Sequence, residues 1–368
     1  MLRQIKTENG VLEGMPCSDP RVTIFKGVPY AAPPVGDLRW KSPHPAPCWE
    51  GVYRADWFAP MEVQEKIGLD QTDFYTKELH PTAAEYQMSE DCLYFNMWSP
   101  AKSEQDNLPI YVWFHGGGLQ SGYSYEMEFD GEHMAREGVI VVSVGYRLNV
   151  FGFFAHPELT AEDPEGCHGN YGLEDVIYCM NWLKRNARAF GGDPDRITVG
   201  GQSGSAFGAV VLAASPKSEG LVTGIIMQSG GGLRAIGYNN RCIPLNRAEE
   251  NGVKFLELLG VPSIAEARKL SAEVVYQAYC EMNPDFEFRG PCIDGKFLLE
   301  DATDAMIHNH HLKIPYLFGS TSGEGGLIFN PGKIPKTLEE FKEAVQEIFG
   351  DDTDDFLAFC DIKSEEDI

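Results

Sequence analysis

The sequence is short of positive charge: 30 Lys and Arg stand against 55 Asp and Glu, for a formal net charge of −25. A field of that sign repels phosphate backbones and anionic lipid surfaces, so nucleic acid and membranes are not expected partners. Long hydrophobic runs are missing as well. The longest apolar stretches, such as Val139 to Val144, fall far short of the roughly 20 residues that cross a bilayer. The start, Met1-Leu2-Arg3-Gln4-Ile5-Lys6-Thr7-Glu8-Asn9-Gly10, has no apolar core of the kind a secretory signal carries, which makes the cytoplasm the expected compartment. Nine cysteines, at 17, 48, 92, 167, 179, 242, 280, 292 and 360, form no Cys-x-x-Cys pair. Neither a zinc ribbon nor a disulfide scaffold is expected from that spacing, and most should be small buried apolar residues.

What is present is an ordinary globular composition, 43% apolar and 23% charged over 368 residues. From about residue 108 onward, β-branched apolar runs alternate with helical patterns. Leu108 to Phe114, Val139 to Val144 and Arg196 to Val199 read as strands buried on both faces, and Gly224 to Gln228 and Ile314 to Phe318 as two more. Tyr171 to Phe190 spaces Leu173, Val176, Ile177, Met180 and Leu183 three and four apart, as a helix requires, and Gly191-Gly192-Asp193-Pro194 should stop it. Asn251 to Leu259 reads as another helix. This is βα alternation around a parallel sheet. The first 100 residues, rich in proline and turns, should be an antiparallel segment and loops wrapped on the same core. No repeat, low-complexity tract or linker divides the chain, so one α/β domain over 1–368 is expected. Residues 331–368, with twelve acidic and four basic side chains, read as a solvated helical surface.

Two segments carry chemistry. Arg196-Ile197-Thr198-Val199-Gly200-Gly201-Gln202-Ser203-Gly204-Ser205-Ala206 runs from a strand through a glycine-rich turn into a small-residue helix. Such a turn can hold a serine hydroxyl above a sheet, with the helix start favouring developing negative charge. Taken alone, a bystander serine in a glycine-rich turn explains the pattern equally well. The second segment, Tyr111-Val112-Trp113-Phe114-His115-Gly116-Gly117-Gly118, is a buried strand entering a loop able to aim backbone N–H groups at an oxyanion. Glycine is needed there because side chains would block the approach of substrate to backbone. His115 itself reads as a loop-fixing residue rather than a proton carrier.

With both segments in this order, the sequence resembles the type B carboxylesterases, the cholinesterase-like branch of the α/β-hydrolase fold. Phe25-Lys26-Gly27-Val28-Pro29-Tyr30-Ala31, with Pro33-Pro34-Val35-Gly36-Asp37-Leu38-Arg39, looks like the family's N-terminal motif. Ser89-Glu90-Asp91-Cys92-Leu93-Tyr94-Phe95-Asn96 looks like its second signature. Gly169-Asn170-Tyr171-Gly172-Leu173, Phe190-Gly191-Gly192-Asp193-Pro194 and Gln228-Ser229-Gly230 flank the elbow in the family's order, and Gly319-Ser320-Thr321-Ser322-Gly323-Glu324-Gly325 looks like the loop of the acidic triad member. The resemblance implies a mostly parallel central sheet with helices on both faces, Ser203 as nucleophile, Glu324 as acid, and the N–H groups of Gly117, Gly118 and Gly204 as oxyanion hole. It implies hydrolysis of a small-molecule carboxylic ester through a serine acyl-enzyme, with no metal and no organic cofactor.

The departures are specific. Gln202 and Ser205 stand where the family usually has glutamate and glycine, and Met61 stands where secreted members place the cysteine that pairs with the one at Cys92. Leu119 replaces a frequent aromatic residue after the glycines, which points to a neutral, mainly apolar ester. Leu79 to Met88 lacks the tryptophan of choline-binding relatives. The fold's triad order is serine, acid, histidine. The nine histidines, at 44, 80, 115, 133, 156, 168, 308, 310 and 311, all precede Glu324, and the chain stops before the family's final strand and histidine loop. His308-Asn309-His310-His311 lies at the wrong end of strand Ile314 to Phe318 and reads as a polar helix end, ahead of adventitious metal binding. The competing reading is therefore a catalytically inactive hydrolase-fold binding protein or a truncated gene product.

Overall fold

The computed structural model describes residues 1–66, 76–77, 80, 85–230, 242–282, 290–321, 335–350, 353–360, 362 and 364–365. They fall into two compact units, Met1–Leu233 with Asn240–Gly319, and Arg234–Asn239 with Ser320–Ile368.

The first unit is built on an eight-stranded sheet. Its strands are β1 (Met15–Pro16), β2 (Thr23–Pro29), β3 (Tyr94–Ser99), β4 (Leu108–Phe114), β5 (Ile140–Val144), β6 (Gly192–Gln202), β7 (Gly224–Gln228) and β8 (Tyr316–Gly319), in the spatial order β8-β7-β6-β4-β5-β3-β2-β1. The five strands from β8 to β5 pair in parallel. The proline-rich N-terminal region supplies the antiparallel edge, β1 on β2, β2 on β3 and β3 on β5. Every residue of β5 is buried, as expected where a run of β-branched residues is covered on both faces. Helices α1 (Tyr171–Asn186) and α2 (Gly204–Ala214) lie around the sheet, and α2, buried from Ser205 to Ala213, is apolar all round because it is enclosed all round. The main core joins Phe25, Phe95, Phe114, Val142, Leu183 and Val210 across sheet and helices.

Two boundaries differ from expectation. Gly191 alone ends the turn that follows α1, at a left-handed φ of 78°. Gly192-Asp193-Pro194 is already strand, which lengthens β6 to 11 residues. Helix α3 (Leu245–Leu259) starts six residues before Asn251, because its first turns bury only Ala248 and so lack the apolar periodicity that would announce them. Further on come α4 (Ala302–Ile307) and the edge strand β8, whose Leu317 and Phe318 are 65% and 77% exposed. In the second unit, α5 (Leu338–Phe349) and α6 (Thr353–Cys360) contact one another.

Two buried ion pairs tie distant motifs together. Arg39 donates from Nε and Nη2 to Glu90 at 2.7 and 2.6 Å. Arg147, just after β5, donates to Asp175 of α1 at 2.8 and 2.6 Å. All four side chains are nearly inaccessible. A bidentate guanidinium satisfies both carboxylate oxygens, and removing either partner would strand a buried charge at about 3–5 kcal/mol.

Candidate active site

Strand β6 ends at Gln202 and α2 begins at Gly204, so Ser203 alone makes the turn between them. It does so at φ 59° and ψ −122°, a sparsely populated conformation for a residue with a side chain. The surroundings hold it there. Its N–H donates to Gln228 O of β7 at 2.9 Å, and its carbonyl accepts from Phe207 N–H at 3.2 Å. A Cβ on Gly230 would sit 2.3 Å from Ser203 O, so a bare backbone is needed beside the elbow. Ser203 is half-buried and within reach of solvent. The two departures flanking it fit this geometry: the Ser205 hydroxyl accepts from Gln202 N–H and donates to Gln202 O, both at 2.9 Å, closing the turn from inside.

The glycine loop after β4 lies against this elbow. A Cβ on Gly204 would come within 2.5 Å of Gly118 N and Cα, and one on Gly116 within 3.5 Å of Ser203 Cβ. Gly117, Gly118 and Leu119 all take positive φ, at 92°, 65° and 62°. The Gly117 carbonyl turns inward to accept from Gln120 N–H and Ser121 N–H at 3.0 and 3.1 Å. Among the described residues, no acceptor takes the N–H of Gly117 or Gly118. The Gly204 N–H is in the first turn of α2, where helical backbones leave donors unpaired. Gly118 thus lies against Gly204 beside Ser203, and Gly117 precedes it in the same loop. Leu119 is different from expectation: it is 1% exposed and part of the main core, so its positive φ turns it away from any substrate.

Glu324 lies outside the described residues. The strand that leads to it does not: Gln202, Gln228 and Gly319 end β6, β7 and β8 in one register, so the chain leaves β8 at the edge of the sheet where Ser203 sits. His308, His310 and His311 precede β8, at its other end. None of the nine histidines hydrogen-bonds Ser203, and eight of them have side-chain partners of their own, His44 being exposed. His115 is fully buried with Nδ1 3.0 Å from Gly116 O, His156 accepts from Glu158 N–H, His168 faces Asp163 O and His80 faces the Tyr123 hydroxyl.

The carboxylesterase family model matches residues 2–357. This chain belongs to the carboxylesterase family. It is 36% identical over 352 residues to the fumonisin B1 esterase of Sphingopyxis macrogoltabida, an alignment covering 95% of this chain and 61% of that protein. It is 32% identical over 357 residues to the para-nitrobenzyl esterase of Bacillus subtilis, covering 94% and 68%. Among solved structures, a PNB esterase superposes with a TM-score of 0.77 at 30% identity, covering all of this chain and 73% of that one. These neighbours share the α/β-hydrolase fold.

Within the carboxylesterase frame, the sequence motifs acquire physical partners. Arg39 of the N-terminal motif and Glu90 of the second signature bind each other. Cys92 and Met61 are both buried, and all nine cysteines are free. No helix among the described residues is long and apolar enough to cross a membrane.

Sequence reasoning missed a buried acidic group under the glycine loop. Glu62 accepts from Tyr146 N–H at 2.9 Å and lies 3.8 Å from His115 Nε2. Glu126 accepts from Tyr123 N–H at 3.0 Å, and His80 Nε2 is 3.9 Å from its other oxygen. A Cβ on Gly122 would meet both His115 Nδ1 and Glu126 Oε1, which places the two side by side. Burial pushes the Glu126 carboxyl up to about 7, against the pull of His115. Burial also opposes a charged His115, but Glu62 and Glu126 outweigh it and raise its pKa. Nothing local in the sequence marks these acids, because they converge only through tertiary packing. Since the folded values are raised, both groups stabilise the native state most when protonated. The Glu126 contribution is whole below about pH 4.5 and is lost as pH rises through about 7. Glu126→Gln should therefore flatten the fall in stability between pH 5 and 8 by about 3 kcal/mol, read from urea midpoints of both proteins at each pH. Parallel curves would remove Glu126 from the account.

Proposed function

We propose that the protein hydrolyses carboxylic esters through an acyl-enzyme on Ser203. The observation that carries this is the strained Ser203 backbone held against a glycine loop whose N–H groups are unclaimed. Ser203 Oγ adds to the ester carbonyl and its proton passes to a histidine base. The N–H groups of Gly117, Gly118 and Gly204 hold the oxyanion, and the alcohol leaves with that proton. Water then repeats the sequence on the acyl group. Glu324 is the acid that would orient the histidine and stabilise its charged form. A fluorophosphonate probe tests the assignment: in a version of the protein that carries the triad histidine, one adduct is expected, on the peptide holding Ser203, and labelling that persists in Ser203→Ala would overturn it.

That none of the nine histidines hydrogen-bonds Ser203 supports a second reading, a hydrolase-fold protein that binds esters without turning them over. The probe separates the two, since phosphonylation requires an activated serine.

The substrate is proposed to be neutral. With Leu119 withdrawn into the core, this rests on the charge of −25 alone, which repels anions over roughly 8–10 Å at moderate salt. In a series of nitrophenyl esters, kcat/KM should be higher for the neutral acyl chain than for a dianionic one, with the gap narrowing as salt is raised. A choline or dianionic ester preferred at low salt would contradict it.

A further inference from the structure

We propose that Glu300, His308 and His310 form a surface site for a divalent transition-metal ion, with zinc the expected occupant. Helix α4 explains why three residues from a span of eleven meet. It has only six residues, so its two ends are separated by about 9 Å at 1.5 Å per residue. Glu300 lies just before its N-cap, Asp301, whose side chain accepts from Thr303 and Asp304 N–H groups. At the other end, Asn309 takes a left-handed φ of 65°. His310 N–H reaches back to Ala305 O at 2.8 Å, and Asn309 N–H to Met306 O at 3.2 Å. This is the Schellman closure, and it puts His308 and His310 on either side of one left-handed residue. Lys313 Nζ donates to Asn309 O at 2.6 Å and secures the same corner.

The side chains then converge. His310 Nδ1 lies 2.7 Å from one Glu300 oxygen and His308 Nδ1 3.6 Å from the other. The three ligand atoms are all within 4.8 Å of one another, and no other trio of such groups does this among the described residues. Zinc bonds of about 2.0–2.1 Å in tetrahedral geometry place ligand atoms about 3.3 Å apart. The imidazoles are 57% and 62% exposed, so side-chain rotation alone closes the difference and leaves water the fourth position. Two imidazoles and one carboxylate favour zinc, nickel, copper or cobalt over magnesium and calcium, which prefer all-oxygen shells. His311 is not among the converging groups, its Nδ1 facing Leu312 O and the Tyr316 hydroxyl. The bound ion would clamp both ends of α4, far from Ser203.

Without metal, the same trio is a carboxylate paired with two imidazoles, and calorimetric titration of the whole chain with zinc chloride distinguishes the cases. One saturable equivalent is expected at about pH 7.5, weakened tenfold or more in His308→Ala and in His310→Ala. Magnesium chloride should give no comparable heat. Turnover and metal-free melting should be unchanged, because both histidines are exposed. Zinc binding unaffected by either substitution, or matched by magnesium, would overturn the site. Cobalt absorption provides a second readout: loss of the bound-cobalt band in both variants is expected, and its persistence would count against the proposal.

Discussion

Gly204→Ala should slow phosphonylation of Ser203 by a fluorophosphonate about 10²- to 10³-fold, the loss seen when one oxyanion donor is removed from a preorganised site. The reason is steric. The added methyl would stand 2.5 Å from both Gly118 N and Gly118 Cα, with Gly118 C at 2.9 Å. These are backbone atoms that cannot rotate aside, so the glycine loop must retreat from the elbow and carry its N–H groups with it. Gly118→Ala provides the contrast. Nothing lies within 4 Å of a Cβ there, and the penalty is the left-handed backbone alone, about 1–2 kcal/mol. The measurement is the second-order labelling rate of both variants beside the parent, with urea midpoints to verify folding. A folded Gly204→Ala that labels at the parental rate would show that Gly118 and Gly204 do not act on the same oxygen.

Much of this site was legible in the sequence because its demands are local. A strand, a serine among glycines and a small-residue helix must be contiguous to make an elbow, and so they are contiguous in the chain. The buried parallel strands were legible for a similar reason: β5 is covered on both faces and is apolar throughout. What could not be read depends on approach between distant segments. Glu62 and Glu126 reach His115 across 53 and 11 residues, with no spacing to announce them. Leu119 was misassigned because sequence adjacency to the glycines says nothing about direction, and a φ of 62° turns its side chain into the core. The extent of β6 was missed because proline and aspartate at its start look like a loop, whereas pairing of Leu108 with Gly192 makes them strand. The histidine cluster was read as a polar helix end, and so it is; only the Schellman turn shows that both rings face Glu300.

Assayed alone, the 368-residue chain should turn over nitrophenyl esters about 10²- to 10⁴-fold more slowly than a related esterase with a complete triad, because a positioned general base contributes about that much. His115, His310 and His168 are held by Gly116 O, Glu300 and Asp163 O, and none of the nine histidines hydrogen-bonds Ser203. Histidine is the side chain whose ordinary pKa suits proton transfer near neutral pH. Without it the serine hydroxyl is a weak nucleophile, although the oxyanion donors remain in place. A small base supplied in solution should then partly replace the missing group. Added imidazole is expected to raise turnover by the parent chain in a saturable way, beyond its direct reaction with the ester. Ser203→Ala measures that direct reaction and should show no saturable part. The pH dependence of the rescued rate should follow the imidazole pKa near 7 rather than the titration of Glu126. If the chain instead matches the complete esterase and ignores imidazole, a base already stands beside Ser203, and one of the histidines described here must leave its partner to serve.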